Sequence, residues 1–362
     1  MPRSARVGGR PPSAGPGEVP RLDLGGRGAD NGAAGTEQPL AQSTLPKRSG
    51  LTPADPWLKK WAVAARLPFL TASVLPVLAT VAAAWRADGT LNAAHAALAL
   101  VGVAFIHLGA NLANDYFDHL SGNDAANRLP TPFSGGSRVI QEGIVTPRAV
   151  LLAAVVCTAI GCACGIWLWL ASPGHTLLAI GVAGVALGWS YVGPPLRLCH
   201  HGLGEAAILL AFGILPALGT EWALRGQLTP EVSWVGLPAG LLVALILLVN
   251  EFPDIAADGA VGKRTLPVRL GPRRAGALYA GVLLIAYAAV GVGVLLRWMP
   301  PWAGLVALVA PLSLRIIKRL RAYSGDVPAL LPAMAGTILQ QALFLLILTG
   351  ASLADLAVRA SR

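Results

Sequence analysis

Nine apolar stretches recur along the chain, at about 67–85, 94–114, 149–171, 176–192, 204–224, 234–250, 275–296, 302–317 and 328–350. Most approach the roughly 20 residues that an α-helix needs to cross a bilayer. The expected fold class is therefore all-α: a polytopic membrane protein, a bundle of about nine transmembrane helices around a central cavity. Composition supports this. Of 362 residues, 54% are hydrophobic and only 13% are Asp, Glu, Lys or Arg, about half the charged share of a soluble domain. Mean hydropathy is +0.61. A soluble globular protein, a disordered chain and a coiled coil are all excluded on these grounds.

Residues 1–50 are rich in Gly, Pro, Ser and Arg and carry no apolar run. They are expected to be a disordered basic tail, a passive extension of the transmembrane domain at 51–362. Four cysteines, three of them in one apolar stretch (Cys157, Cys162, Cys164), give no disulfide framework. The cations set an orientation. With the N-terminus inside, 18 of the 28 Lys and Arg fall on the inner side, 5 on the outer side and 5 in the far tail. This predicts a cytoplasmic N-terminus and, with nine spans, an outer C-terminus.

The acids break the pattern. After residue 50, ten of them also fall on the inner side and only four outside, although no rule of topology draws them there. Six of the ten form two clusters, at the inner ends of the second and sixth spans. The first reads Asn111-Leu-Ala-Asn114-Asp115-Tyr-Phe-Asp118, followed by Asp124. Helical spacing puts Asn111, Asp115 and Asp118 on one face, with His107 one turn deeper. The second reads Asn250-Glu251-Phe-Pro-Asp254, followed by Asp258 at i+4 from Asp254. Both have the form Asn, acid, two residues, Asp, then a further Asp. They resemble a parallel pseudo-repeat whose acidic ends face each other across a central cavity.

Charges buried at mid-membrane cost roughly 2.5–3.5 kcal/mol each, less at the edge, and like charges add repulsion. A divalent cation relieves both costs. Oxygen ligands favour a hard ion, Mg²⁺ or also Mn²⁺, over zinc. Basic residues sit beside the acids: Lys263 and Arg264 follow Asp258, and Arg128 and the run Ser134-Gly-Gly-Ser-Arg138 follow Asp124. A Gly-Gly turn flanked by Ser and Arg presents backbone N–H groups to an anion. Carboxylates, metal and cations on one face describe a diphosphate site. Opening into an apolar bundle, that site suits a diphosphate head with a long apolar tail, an isoprenoid diphosphate. No Walker-type phosphate loop is present, and no nucleic-acid partner is expected.

These residues resemble the UbiA superfamily of intramembrane prenyltransferases, and within it the branch acting on 1,4-dihydroxy-2-naphthoate in menaquinone synthesis. The resembling segments are Arg66 to Pro76, Asn111 to Asp124, Thr131 to Arg138, Tyr191 to Arg197, Gly202 to Glu205 and Asn250 to Gly271, within about 60–350. The six-residue step from Asp118 to Asp124 is that of the naphthoate branch; the hydroxybenzoate branch usually has four. The resemblance implies that Asn111, Asp115, Asp118, Asp124, Asp254 and Asp258 hold Mg²⁺. It implies that Arg128, Arg138, Lys263 and Arg264 bind the diphosphate of a polyprenyl diphosphate. The departing diphosphate would leave an allylic cation. The ring of an aromatic acceptor would attack it, and Asp115, Asp118, Asp254 and Asp258 would carry the catalysis. Glu205, Glu251, Tyr191 and His107 are candidates for the acceptor. Tyr116, Phe117 and Trp189 are better read as core than as a shield for the cation. The expected location is a bacterial plasma membrane, with the site at its cytoplasmic face.

Other functions compete. Intramembrane acids also mark cation or proton transporters, but these lie at one membrane face among Lys and Arg. A terpene cyclase or a phosphatase would use the same ionisation site. Prenylation of 4-hydroxybenzoate differs only in the acceptor. The Asp-Gly-x2-Ala-Arg arrangement of CDP-alcohol phosphotransferases is absent. Cys199-His200-His201 suggests a second metal site, although a plain loop is the simpler reading.

Overall fold

A computed structural model of the chain describes residues 49–126, 131–133 and 136–361. The expected tail lies outside the described residues up to position 48, as do Arg128, Ser134 and Gly135. Ser49 donates from its backbone N–H to Glu142 and Leu51 is buried.

The described residues contain helices and no strand. They run α1 (Trp57–Ala64), α2 (Thr71–Asp88), α3 (Ala93–Ser121), α4 (Asn123–Ala126), α5 (Pro147–Leu170), α6 (Thr176–Ser190) and α7 (Gly204–Leu209). Then come α8 (Leu215–Arg225), α9 (Pro230–Ser233), α10 (Gly236–Asn250), α11 (Ile255–Ala260), α12 (Leu266–Leu295), α13 (Ala310–Arg321) and α14 (Val327–Ala360). Every one of the nine expected segments falls on helix. The expected count of about nine membrane-length helices is met in part. Among the described residues, seven helices are long and apolar enough to cross a membrane.

Two of the nine segments fall short of that length and composition, each for its own reason. Helix α6 has only 15 residues, about 22 Å at the α-helical rise, short of a hydrocarbon core. The segment expected at 302–317 opens as a 3-10 stretch, Pro301–Val309. It continues as α13, whose later turns carry Arg315, Lys318, Arg319 and Arg321. Four cations in seven residues keep this end of the segment at a membrane surface rather than in hydrocarbon.

Helix α10 is the hub. In the span Pro230–Asn250, 72% of the most apolar window is buried inside the protein, against 17% for Pro147–Leu170. The first is packed by protein, and protein leaves most of the second uncovered. Leu242, Leu245 and Leu248 of α10 join Tyr279 of α12 and Phe344 of α14 in the main core. On its other side α10 meets a π-helical turn, Leu210–Ile214. That turn coincides with Pro216, which has no N–H to give to it. Glycines permit the approach: a Cβ at Gly236 would lie 2.7 Å from Ala217 Cβ and 2.8 Å from the Gly213 carbonyl oxygen. At the end remote from the acidic clusters, Arg225 joins Asp88 at 2.8 Å and Glu221 at 2.9 Å. Arg86 there donates to the Trp298 carbonyl at 2.7 Å.

The Gly236 contact makes a stability prediction. Overpacking a tight contact costs about 1–3 kcal/mol. Gly236→Val is expected to lower the melting temperature in detergent by several degrees. Gly181→Val, where nothing lies within 4 Å, is expected to leave it unchanged. Equal melting temperatures for the two variants would show that α10 does not depend on this approach.

Candidate active site

The site forms where α3 and α10 end on the same side of the bundle. Helix α3 carries its polar residues to Ser121 and is closed by Gly122 in the left-handed region, φ 75°. Helix α10 stops at Asn250; a turn carries Glu251 to Asp254 before α11 begins. Between the two ends lies a cavity of about 210 Å³. Asn111, Asn114, Asp118, Asn123, Asp124, Asn250, Glu251 and Asp254 line its polar part, with Arg66 and Lys263 as its cations. Phe69, Ala110, Leu187, Ile208, Phe212, Val243 and Ile246 line its apolar part. The two acidic clusters thus face one cavity, as the pseudo-repeat suggested.

Within the clusters the roles divide. Asp118 turns into the cavity; its Oδ2 accepts from Asn114 Nδ2 at 3.0 Å and its Oδ1 is buried without a hydrogen-bond partner. Asp115 is not among the residues that line the cavity. Its carboxylate accepts from Arg66 Nη2 at 2.7 Å and from the Ser137 backbone N–H at 3.2 Å, and it is 2% exposed. Helix geometry explains the difference. At 100° per residue, Asn114 and Asp118 lie about 60° and 20° to one side of Asn111, and Asp115 about 40° to the other. Asp258 is likewise behind the cavity wall: it pairs with Lys263 Nζ at 3.4 Å and is hydrogen-bonded by Asn123. Of the four aspartates expected to carry the catalysis, Asp118 and Asp254 line the cavity, and Asp115 and Asp258 stand behind it.

The basic residues also divide. Lys263 enters the cavity. Burial works against its ammonium, but Asp118 and Asp258 outweigh that and hold it above the ordinary lysine value. Arg66 stands in the left-handed region, φ 53°, which aims its side chain back at Asp115; its Nε is buried without a partner. Arg138 does not reach the cavity and donates to the Asp124 carbonyl oxygen. Arg264 is exposed outside it, with its backbone N–H on the His200 carbonyl at 3.0 Å. Arg128 lies outside the described residues. Of the Gly-Gly run, the Ser137 N–H does meet an anion, but that anion is Asp115. Gly136, φ 76°, packs on Asp124, where a Cβ would lie 2.8 Å from Oδ1. Burial, then Asp118 and Asp115, push the Asp124 carboxyl up to about 8.

The candidates for the acceptor sit along the same wall. His107 and Tyr191 both line the cavity. His107 Nδ1 meets Ser73 Oγ at 2.9 Å and its ring stands edge-on to Phe212. Glu251 is buried against Glu205, which lies outside the lining; burial and then Glu205 hold the Glu251 carboxyl well above the ordinary range. Among the described residues, Cys199, His200 and His201 belong to no group of three His, Cys, Asp or Glu that could hold a metal ion.

Among the described residues, no three His, Cys, Asp or Glu groups gather closely enough to hold a metal alone. The donors present nevertheless fit a hard cation. Asp118 Oδ1, Asn123 Oδ1, Asn250 Oδ1, Glu251 Oε2 and Asp258 Oδ2 are buried oxygens without a hydrogen-bond partner. All are oxygen, and a hard ion such as Mg²⁺ completes its shell with water and phosphate. The sequence reading passed over Asn114, Asn123, Asn250 and Arg66 as cavity residues. The signal for two of them was in the repeat, since Asn114 to Asp118 and Asn250 to Asp254 are both i, i+4.

The model of the UbiA prenyltransferase family matches residues 73–334. The 1,4-dihydroxy-2-naphthoate octaprenyltransferase of Mycobacterium tuberculosis is 35% identical over 305 residues, 81% of this chain and 96% of that protein. The 2-carboxy-1,4-naphthoquinone phytyltransferase of Synechocystis is 29% identical, over 79% of this chain and 87% of that one. A UbiA homolog from Archaeoglobus fulgidus, solved bound to GPP and Mg²⁺, shares the fold. Its TM-score is 0.57 at 18% identity, over 82% of this chain and 99% of that one. A family match across most of the chain, with a relative aligned over nearly its whole length, places the protein: it belongs to the UbiA prenyltransferase family.

Proposed function

We propose that the protein transfers a polyprenyl group from a prenyl diphosphate to 1,4-dihydroxy-2-naphthoate, in menaquinone synthesis, with Mg²⁺. One observation carries the reading. Buried, unpartnered carboxylate and carboxamide oxygens from both clusters meet Lys263 at the polar end of an otherwise apolar cavity. The naphthoate acceptor is supported by the relatives named above.

Asp118, Asp254, Asn114 and Asn250 are the residues that would hold the cation, with Asp124 and Asn111 at the edge. Bound there, the cation would supply Lewis-acid stabilisation of the charge that develops on the departing diphosphate; Mn²⁺ suits the same donors. Lys263 and Arg66 bind the remaining oxygens and stabilise the diphosphate as it departs. Asp115 keeps Arg66 in place, and Asp258 does the same for Lys263. Phe69, Phe212 and Ile246 exclude water from the allylic carbon, so that the acceptor ring is the nucleophile that reaches it. His107, Tyr191, Glu251 and, behind it, Glu205 orient the acceptor hydroxyl and take its proton, and the attacked ring carbon then loses a proton, or its carboxyl group as CO2, to restore the aromatic ring. The positive bias of the loops supports a cytoplasmic position for this end of the bundle in a bacterial plasma membrane, with the N-terminus on that side and the C-terminus opposite.

Two predictions separate these roles. Asp118→Asn and Asp254→Asn are each expected to lower kcat by about 10²–10³-fold and to raise the Mg²⁺ concentration for half-maximal rate. Asp115→Asn, which loosens Arg66, is expected to raise KM for the prenyl diphosphate while the Mg²⁺ midpoint stays in place. Steady-state kinetics with a Mg²⁺ titration decide. A shared midpoint shift in Asp115→Asn would return Asp115 to the metal.

The reaction itself is tested by giving purified protein Mg²⁺, a long prenyl diphosphate and a panel of aromatic acids. Prenylated naphthoate is expected, at a rate well above that for 4-hydroxybenzoate. Diphosphate release with no prenylated aromatic would indicate a cyclase or a phosphatase instead.

A further inference from the structure

The cations at the two ends of the bundle are treated differently. At the end remote from the cavity, Arg86 and Arg359 share Asp355, and Arg225 joins Asp88. On the cavity side six cations cluster where α12 and α13 meet: Arg273 and Arg274, then Arg315, Lys318, Arg319 and Arg321. All six are exposed. Among the described residues, none of them is within ion-pair distance of a carboxylate.

The cluster is one surface. Gly276 of α12 packs on Leu320 of α13, where a Cβ would lie 3.6 Å from the Leu320 carbonyl oxygen. Arg273 and Arg274 are therefore about one turn from the last turn of α13. On α13 itself, Ser313, Ile316 and Leu320 are the buried face. By helical spacing Arg315, Lys318 and Arg319 project from the opposite side. Below them, Leu305, Leu308 and Leu314 are exposed, Leu308 and Leu314 at 73% and 67%. Of the acids near Tyr323 at this end, Asp254 lines the cavity and Asp326 caps α14 through the Ala329 N–H at 3.4 Å.

A bias in the number of loop cations sets topology; it does not require that they gather on one helix end without partners. Clustered cations repel, and nothing described here in the protein neutralises them. Anionic headgroups with acyl chains below match both layers of this surface: phosphate above and apolar side chains beneath. We propose that the cationic end of α13, with the adjoining start of the transmembrane part of α12, is a docking surface for anionic phospholipids of the leaflet on the cavity side. The surface holds them by phosphate contacts to Arg and Lys and seats their chains on the exposed leucines.

The test uses the full-length protein equilibrated in vesicles of equal phosphatidylglycerol and phosphatidylcholine. Lipids retained after extraction are counted by native mass spectrometry. Wild type is expected to retain phosphatidylglycerol over phosphatidylcholine by about threefold or more, and to lose that preference near ~1 M NaCl, where screening is short-ranged. The Arg315→Gln/Lys318→Gln/Arg319→Gln/Arg321→Gln variant is expected to retain the two lipids equally. A Lys60→Gln/Arg148→Gln variant, with cations removed elsewhere on the same side, is expected to keep the preference. Preference unchanged in the fourfold variant would overturn the proposal. Should that variant fail to fold, wild type alone decides. No preference, or one that survives high salt, would overturn the proposal. Displacement of the lipid by millimolar inorganic phosphate would show a soluble-anion site and overturn it as well.

Discussion

The Lys263 ammonium makes the rest of the cavity possible. It pairs with Asp258 at 3.4 Å, and Asp118, from the other half of the chain, also acts on it. Without it, carboxylates from the ends of two helices would be driven apart by repulsion and by the cost of leaving water. With it, α3 and α11 are held at one site by a charge that neither supplies. Arg66 does the same for Asp115. Each of the two cations balances part of the acid and leaves other oxygens open. A site arranged in this way is prepared for a cation and an anion together rather than for either alone.

The membrane decides where such chemistry is placed. The hub helix α10 is buried by protein on most of its surface, so its end is positioned by packing rather than by lipid. Gly213, Gly236 and the π-helical turn at Leu210–Ile214 bring the α7–α8 segment against it. That contact also sets Ile208 and Phe212 in the apolar wall. The polar end and the apolar wall of the cavity are therefore two consequences of one packing. At the remote end, the clasp of Arg225 with Asp88 and Glu221 ties α2 to α8, so the bundle is fixed at both ends.

Much of this was legible in the sequence. The apolar stretches gave the helices, and the repeated Asn-acid-x-x-Asp form gave the two halves of the site. What was not legible depended on contacts between distant residues. Asp115 and Asp118 look equivalent in the motif. Only the presence of Arg66, 49 positions earlier, shows which one turns from the cavity. Arg138 and Lys263 look alike as neighbours of acids, yet one is spent on a backbone carbonyl and the other enters the cavity. Helix length was less legible: hydropathy over 302–317 does not reveal that the segment opens as a 3-10 stretch, Pro301–Val309, before α13. Asparagines were undervalued because a carboxamide carries no charge, although it offers the same oxygen to a hard cation.

The central claim is that oxygens from both halves of the chain share one cation beside Lys263. The most direct measurement is an experimental structure with Mn²⁺ and an unreactive prenyl thiodiphosphate, read by anomalous scattering. The account expects manganese between Asp118 and Asp254, with diphosphate oxygens on Lys263 and Arg66 and with Asp115 still on Arg66. Manganese bound by Asp115, or by one cluster alone with the diphosphate away from Lys263, would contradict it.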